Sequence, residues 1–177
     1  MNQHAEMTAA AEAAARAVDG VRPEQFGGPT PCTEWDVREL LNHLILWTSH
    51  SLERRAHGES VAPGLMEKDF AASPSFATEY RAQLDRALAA WSDPSVWERE
   101  LPVMGATTPA SDVAAMMIAE LVLHGWDLAA ATEANAELFR QYKGFADPVA
   151  VPAQSPSVLE TALALSGRDP RWSAPGS

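Results

Sequence analysis

Apolar residues recur at helical spacing in four long segments of the chain, and each pattern predicts a helix. The four predicted helices cover about residues 3–18, 34–57, 75–91 and 112–132. The second follows Thr33, a good N-cap residue, and its apolar face predicts burial in a core. That face consists of Val37, Leu40, Leu41, Leu44 and Trp47. Four amphipathic helices of this length indicate an all-α fold, a four-helix bundle.

The remaining segments are expected to connect or extend the bundle. Residues 59–72 and 93–110 are rich in Pro, Gly and Met and are expected to be loops, and no segment shows a convincing strand pattern. Additional short C-terminal helices are predicted at about 135–142 and 157–166. With this extension (about 135–177), we expect residues 1–177 to form a single domain.

Charge and composition narrow the class of protein. The chain has 177 residues, a formal net charge of −11 and no Lys/Arg-rich run, which argues against a nucleic-acid partner and against binding to anionic lipid. The longest apolar stretch, residues 113–123, is too short to span a bilayer, and the N-terminus does not resemble a signal peptide. Cys32 is the single cysteine, so no intrachain disulfide can form. A cytoplasmic protein is therefore expected.

Three residues in this apolar context are candidate metal ligands. Glu120 is the single polar residue in the stretch 113–123, and a carboxylate there needs a partner or a metal ion. His124 follows at i+4, on the same helix face. His43 lies near the middle of the second predicted helix, among apolar residues. Carboxylates and imidazoles on facing helices are how bundles build metal sites.

The residues alone leave two interpretations open. A histidine on an apolar helix face is often a structural core residue, and a Glu–His pair at i,i+4 is often only a solvated helical pair. The alternative is a divalent-metal site, because two histidines and a glutamate with one open position form a known catalytic zinc set.

Three motifs resemble one family of proteins. Residues 30–38 (TPCTEWDVR), with 41–44 (LNHL) after them, are similar to the opening motif of actinobacterial DinB-like proteins, relatives of the N-terminal domain of mycothiol-dependent maleylpyruvate isomerase. Residues 120–129 (ELVLHGWDLA) resemble the second signature of that group. Residues 167–170 (GRDP), followed by Trp172, resemble its closing motif.

The resemblance implies a DinB-like four-helix bundle with a metal site. The family's ligands are a histidine on the second helix and a glutamate and a histidine one turn apart on the fourth, which match His43, Glu120 and His124. It implies a zinc-like divalent ion, although nickel, iron and manganese suit the same ligands. It also implies mycothiol or another low-molecular-weight thiol, bound as thiolate, and a small electrophilic substrate.

The expected function is therefore a metal-dependent thiol transferase or isomerase. The isomerase has a second, C-terminal domain that helps to complete its active site, whereas this chain ends at Ser177, so the metal site carries over better than the reaction. The alternatives are a non-catalytic metal- or ligand-binding bundle, such as a sensor or storage protein, and a metal-dependent hydrolase. The sequence does not fix the oligomeric state, a homodimer being one option.

The sequence also suggests roles for five further residues. Asp127 is a candidate to hydrogen-bond a ligand imidazole, with local capping as the alternative. Trp47, one turn after His43, is a candidate pocket wall, although core packing explains it equally well. His50 and His57 follow His43 at heptad spacing and are expected on nearly the same helix face, at the rim or surface. For Cys32, packing at the helix entrance is favoured over a nucleophilic role.

Overall fold

The computed structural model describes residues 3–103, 105–132, Trp172 and Pro175. Seven α-helices and one two-stranded sheet lie within these residues. The helices are α1 (Gln3–Asp19), α2 (Val37–Ile45), α3 (Ser51–Ala56), α4 (Pro63–Met66), α5 (Phe76–Trp91), α6 (Pro94–Trp97) and α7 (Ala110–Thr132). A π-helical segment, Leu46–His50, joins α2 to α3 in one continuous helix. Short 3₁₀ turns lie at Pro23–Gln25 and Phe70–Ala72.

The long helices form a bundle around one core. Helix α1 packs against both α5 and α7, while the α2–α3 helix contacts α7 through α2 and α5 through α3. Each long helix therefore touches two others, as in a four-helix bundle. The largest fully buried side chains come from all four: Met7, Leu40, Leu41, Leu44, Leu52, Tyr80, Trp91, Leu121 and Leu128 are among them. The predicted all-α bundle is confirmed.

Helix α2 begins three residues later than the predicted cap implies. Asp36, not Thr33, is the N-cap: its carboxylate accepts a hydrogen bond from the backbone N–H of Glu39, and the Glu39 side chain accepts one from the Asp36 N–H. This reciprocal pair is a capping box. Residues 31–34 form bends and a turn instead, in which the Trp35 N–H donates to the Cys32 carbonyl, and Pro29 and Asp36 on either side pair as an antiparallel bridge. The hydroxyl of Thr30 lies 2.8 Å from the carbonyl oxygens of Cys32 and Trp35.

The π-helical segment inserts one residue into the turn between α2 and α3. The N–H of Ser51 donates to the carbonyl of Leu46, five residues back, instead of the usual four. Two hydroxyls accommodate the wide turn: Thr48 and Ser49 each donate to the carbonyl four residues earlier, at 2.6 Å. One extra residue rotates all later side chains by about 100° relative to a regular helix.

The two segments expected to be loops contain short elements. Helix α4 and the turn Phe70–Ala72 lie in the first segment. In the second, α6 precedes strands β1 (Glu100–Val103) and β2 (Ala106–Pro109), which pair antiparallel with Leu101 opposite Thr108. The expectation of no strand is therefore wrong for this hairpin. Both strands have only four residues, and each contains a proline, so they are too short to show a clear alternation of apolar and polar residues.

Helix α7 begins at Ala110, two residues before the predicted start and directly after β2. Its 23 residues are long and apolar enough to cross a membrane by length and composition. However, 61% of its most apolar window is buried inside the protein, as in a core helix. The predicted helices at 135–142 and 157–166 lie outside the described residues.

Candidate metal centre

The bundle brings together the three residues singled out as metal ligands. His43 lies on α2, and Glu120 and His124 lie one turn apart on α7. One ligand atom of each lies within 4.8 Å of the other two. Glu120 Oε2 lies 3.0 Å from His43 Nε2 and 3.4 Å from His124 Nε2, so this carboxylate oxygen is between the two rings.

These separations fit the donor set of a single ion. Two ligand atoms of one tetrahedral zinc, each about 2.0–2.2 Å from the metal, are about 3.3–3.6 Å apart. Of the two measured separations, 3.4 Å lies within this range and 3.0 Å lies slightly below it. Among the residues that the structure describes, no fourth Cys, His, Asp or Glu joins the group of three. The geometry is therefore that of a candidate site with three ligands.

The three side chains are accessible from solvent to different degrees. The exposed fractions are 22% for His43, 30% for Glu120 and 11% for His124. The site is therefore partly exposed to solvent rather than sealed in the core.

Asp127 contacts the imidazole of His124. Its carboxylate oxygen Oδ2 lies 3.0 Å from His124 Nδ1, and the Asp127 side chain is fully buried. A carboxylate accepts hydrogen bonds, so this contact favours a proton on Nδ1 and leaves the lone pair of Nε2 facing Glu120. The structure thus gives Asp127 the geometry of an orienting partner of His124.

Two tryptophans line this region. The indole of Trp35 lies with its ring centre 4.3 Å from that of His43 and 5.5 Å from that of His124. Trp47, the predicted pocket wall, is 6.3 Å from His43 by the same measure. Trp35 was not predicted as a site residue, although it lies in the TPCTEWDVR motif just before the α2 N-cap. Its contact with both histidines depends on the loop fold that Thr30 holds.

Cys32 lies closer to the ligands than the sequence suggested. It belongs to a second cluster, in which one ligand atom each of Cys32, His124 and Asp127 lies within 4.8 Å of the others. The sequence analysis favoured simple packing at the helix entrance, because no partner lies near Cys32 along the chain. The partners come from α7, which only the tertiary fold reveals.

His50 and His57 do not share the His43 face. The π turn rotates His50 away from it, and the His50 ring stacks on Phe70 with 5.0 Å between ring centres. Burial, together with the charges of Lys68 and Arg86, lowers the pKa of His50 below its usual value. His57 is exposed at the end of α3. The expectation of a common face was wrong, because it assumed an uninterrupted α-helix.

Arg55 is a charged residue near the site that sequence analysis missed. Its guanidinium lies over the indole of Trp47, 6.0 Å from the ring centre. Burial lowers the pKa of Arg55, and the negative charge of Glu120 opposes this effect only in part. Its neighbour Arg54 is instead paired with Glu59 at the surface. In a regular helix, without the rotation at the π turn, Arg54 rather than Arg55 would lie on the His43 face.

Comparison with known proteins identifies the family. The family model described as mycothiol maleylpyruvate isomerase N-terminal domain matches residues 7–129, which include all three candidate ligands. Two curated relatives are the uncharacterized proteins MT0763 and Rv0738 of Mycobacterium tuberculosis, strains CDC 1551 / Oshkosh and ATCC 25618 / H37Rv. Each is 24% identical over 142 residues, which cover 73% of this chain and 66% of the relative.

Two solved structures share the fold. The crystal structure of the mycothiol-dependent maleylpyruvate isomerase matches with a TM-score of 0.59 and 20% identity. That of a histidine-to-alanine mutant of the same enzyme matches with a TM-score of 0.57 and 21% identity. In both cases the match covers 72% of this chain and 61% of the other. The chain therefore spans less than two thirds of each relative. Because the family model matches well over half of its length, the chain belongs to the mycothiol maleylpyruvate isomerase N-terminal domain family.

Proposed function

We propose that this protein binds one divalent metal ion through His43, Glu120 and His124 and acts as a thiol-dependent transferase or isomerase on a small electrophile. Zinc is the metal that the ligand set fits best. The observation that carries the proposal is the convergence of the three ligand atoms within 4.8 Å, from helices far apart in sequence.

The thiol part of the proposal rests on the family. Its name specifies mycothiol, and the solved relatives are mycothiol-dependent isomerases. A divalent ion at this position supplies positive charge that stabilises a coordinating thiol as its thiolate. A thiolate is the nucleophilic form of a thiol and can add to an electrophilic carbon. The open position beside the three protein ligands is where such a thiol fits.

The surrounding residues support the same chemistry by holding the site in shape. Asp127 fixes the ring orientation of His124, which keeps Nε2 aimed at the ligand cluster. Trp35 and Trp47 lie beside His43 and limit the access of water to that face. Both indoles also offer flat apolar walls against which a small substrate can pack.

The proposal names the substrate only by its chemical class. The solved relatives act on maleylpyruvate according to their names, and this chain covers 61% of their length. The proposal therefore transfers the metal site and the thiol, and it describes the second reactant as a small electrophilic molecule.

The test begins with the metal content of purified protein. We expect about one zinc per chain in the wild type, and less than a tenth of that in His43→Ala, because two remaining ligands hold zinc weakly. His57→Ala is the matched control, since His57 is exposed and outside the cluster. Equal metal in wild type and His43→Ala would overturn the ligand set.

Thiol binding is tested next by calorimetry with mycothiol. We expect heat of binding in the zinc-loaded protein and none after the metal is removed. Metal-loaded protein that gives no heat would contradict the thiol-dependent reaction and leave a non-catalytic metal-binding bundle. Hydrolysis of ester or amide substrates without any thiol would instead favour a metal-dependent hydrolase.

A further inference from the structure

The guanidinium of Arg55 is buried with an unused hydrogen-bond donor. Arg55 is 7% exposed, and its Nη1 has no hydrogen-bond partner in the part of the chain that the structure describes. Its Nε donates to the hydroxyl of Ser51 at 2.9 Å. A buried charged donor without a partner is costly, because the group has lost water and gained no acceptor. An acceptor supplied from outside the protein would remove that cost.

The position of Arg55 ties this donor to the candidate metal centre. From His43 to Arg55 a regular helix turns through a net angle of about 120°, so the two side chains would diverge. The extra residue of the π turn reduces this angle to about 20°, which puts Arg55 on the His43 face, roughly three turns along the helix. Trp47 is close to both, with its ring 6.3 Å from that of His43 and 6.0 Å from the Arg55 guanidinium.

Glu120 is not the missing acceptor. Its charge influences Arg55, but its Oε2 lies between the two histidines, and no hydrogen bond joins it to Nη1. The neighbouring arginine shows the contrast: Arg54 is bound to the carboxylate of Glu59 and to the backbone carbonyl of Ser60. Within the described ranges, therefore, no carboxylate neutralises the charge of Arg55 through a hydrogen bond from Nη1.

We propose that Arg55 is the anion-binding residue of this site, and that its Nη1 donates to a carboxylate of the small electrophile. The proposal rests on the proposed function, because it places that electrophile between the guanidinium and the ligand cluster. An arginine suits this role since its planar fork matches a carboxylate and stays charged when buried. The protein would then favour electrophiles that carry a carboxylate over neutral ones of the same shape.

The test compares a carboxylate with its neutral amide. Binding of succinate and of succinamide is measured by calorimetry, for zinc-loaded and metal-free protein. The variants are Arg55→Met, which keeps the side-chain length, and Arg55→Lys, which keeps the charge but loses the fork. Arg54→Met is the matched control at the adjacent, exposed arginine. We expect Arg55→Met to weaken succinate binding about 10- to 100-fold, Arg55→Lys to weaken it less, and succinamide binding to stay unchanged.

The outcomes separate this inference from the proposed function. If purified wild-type protein contains no zinc, the proposed function is contradicted. The succinate comparison on metal-free protein still tests Arg55 in that case. Equal succinate affinity in wild type and Arg55→Met, or no succinate binding by the wild type, would overturn the inference. If Arg55 were only structural, its replacement would change the free energy of unfolding and leave the preference for carboxylate over amide as it was. If Arg55→Met does not fold, a succinate affinity of Arg55→Lys equal to that of wild type would equally overturn the inference.

Discussion

His43 Nε2 and Glu120 Oε2 lie 3.0 Å apart, although 77 positions separate the two residues along the chain. The contact joins the second and fourth long helices of the bundle at the level where His124 also points inward. A pair of this kind places a carboxylate oxygen where two imidazoles can share it. Replacement of the groups that hold these side chains should therefore change metal binding before it changes the fold.

Asp127→Asn should weaken zinc binding about 10- to 100-fold, the usual cost of removing a carboxylate partner from a ligating histidine. The amide still accepts a hydrogen bond from His124 Nδ1, but it lacks the negative charge that favours this orientation. Zinc affinity is measured by competition with a chelator. Asp112→Asn is the control, because Asp112 is exposed on the same helix. Similar affinities for both variants would contradict the orienting role of Asp127.

Thr48→Val should destabilise the protein by about 1–3 kcal/mol. The Thr48 hydroxyl donates to the Leu44 carbonyl in the π turn and lies 2.7 Å from the hydroxyl of Tyr80, so valine leaves buried polar groups unpaired. The free energy of unfolding is measured with urea. Thr48→Ser, which keeps the hydroxyl, is expected to lose less than Thr48→Val. An equal loss in both would show that the methyl group contributes as much to stability as the hydrogen bonds of the hydroxyl, and would contradict this prediction.

His50 should make the protein more stable at neutral than at acidic pH. Its folded-state pKa lies below the usual 6.5, so the unfolded chain binds more protons at this site. The free energy of unfolding therefore rises with pH from acidic to neutral values. Burial and the charges of Lys68 and Arg86 favour the neutral ring, while Glu53 opposes them, and Glu79 lies in the same pocket.

The measurement compares urea unfolding of wild type and His50→Gln at several pH values. The variant should show a smaller rise in stability over this range. His57→Gln is the control, since His57 is exposed and should leave the profile as in wild type. Parallel profiles for wild type and His50→Gln would contradict a lowered pKa.

Ala14→Leu should cost about 1–3 kcal/mol of stability, because it adds volume to a close-packed core. Ala14 is fully buried on α1, the helix that packs against both α5 and α7. Thermal unfolding followed by circular dichroism gives the change in midpoint. Ala9→Leu, at an exposed position of the same helix, should have little effect. An unfolding midpoint of Ala14→Leu equal to that of wild type would show that the core around Ala14 can accommodate the larger side chain.

The four long helices could be predicted because their apolar positions follow the 3.6-residue period of a helix. The grouping of Glu120 with His124 followed from the same period. The Asp36 cap was missed because Thr33 and Asp36 are both good N-cap residues, and the choice depends on the Pro29–Asp36 bridge. Local sequence does not contain that information, since the bridge forms only when the whole loop folds.

The π turn could not be predicted for a related reason. Thr48 and Ser49 stabilise the wide turn with their hydroxyls, yet both residues also occur in regular helices. The error about His50 follows from that one inserted residue, which also brings Arg55 to the His43 face. Trp35 was missed because its neighbours His43 and His124 come from two other parts of the chain.

The wide turn also affects how relatives of this protein must be aligned. Twelve positions separate His43 from Arg55, whereas an uninterrupted helix would bring the residue eleven positions after the histidine to the same face. A homologue without the inserted residue therefore needs a one-residue gap inside this helix, where alignments rarely allow one. Without that gap, Arg55 is aligned with a surface residue of the homologue. The residue that occupies the place of Arg55 in space is then aligned with Arg54, so an arginine preserved in space looks variable in the alignment.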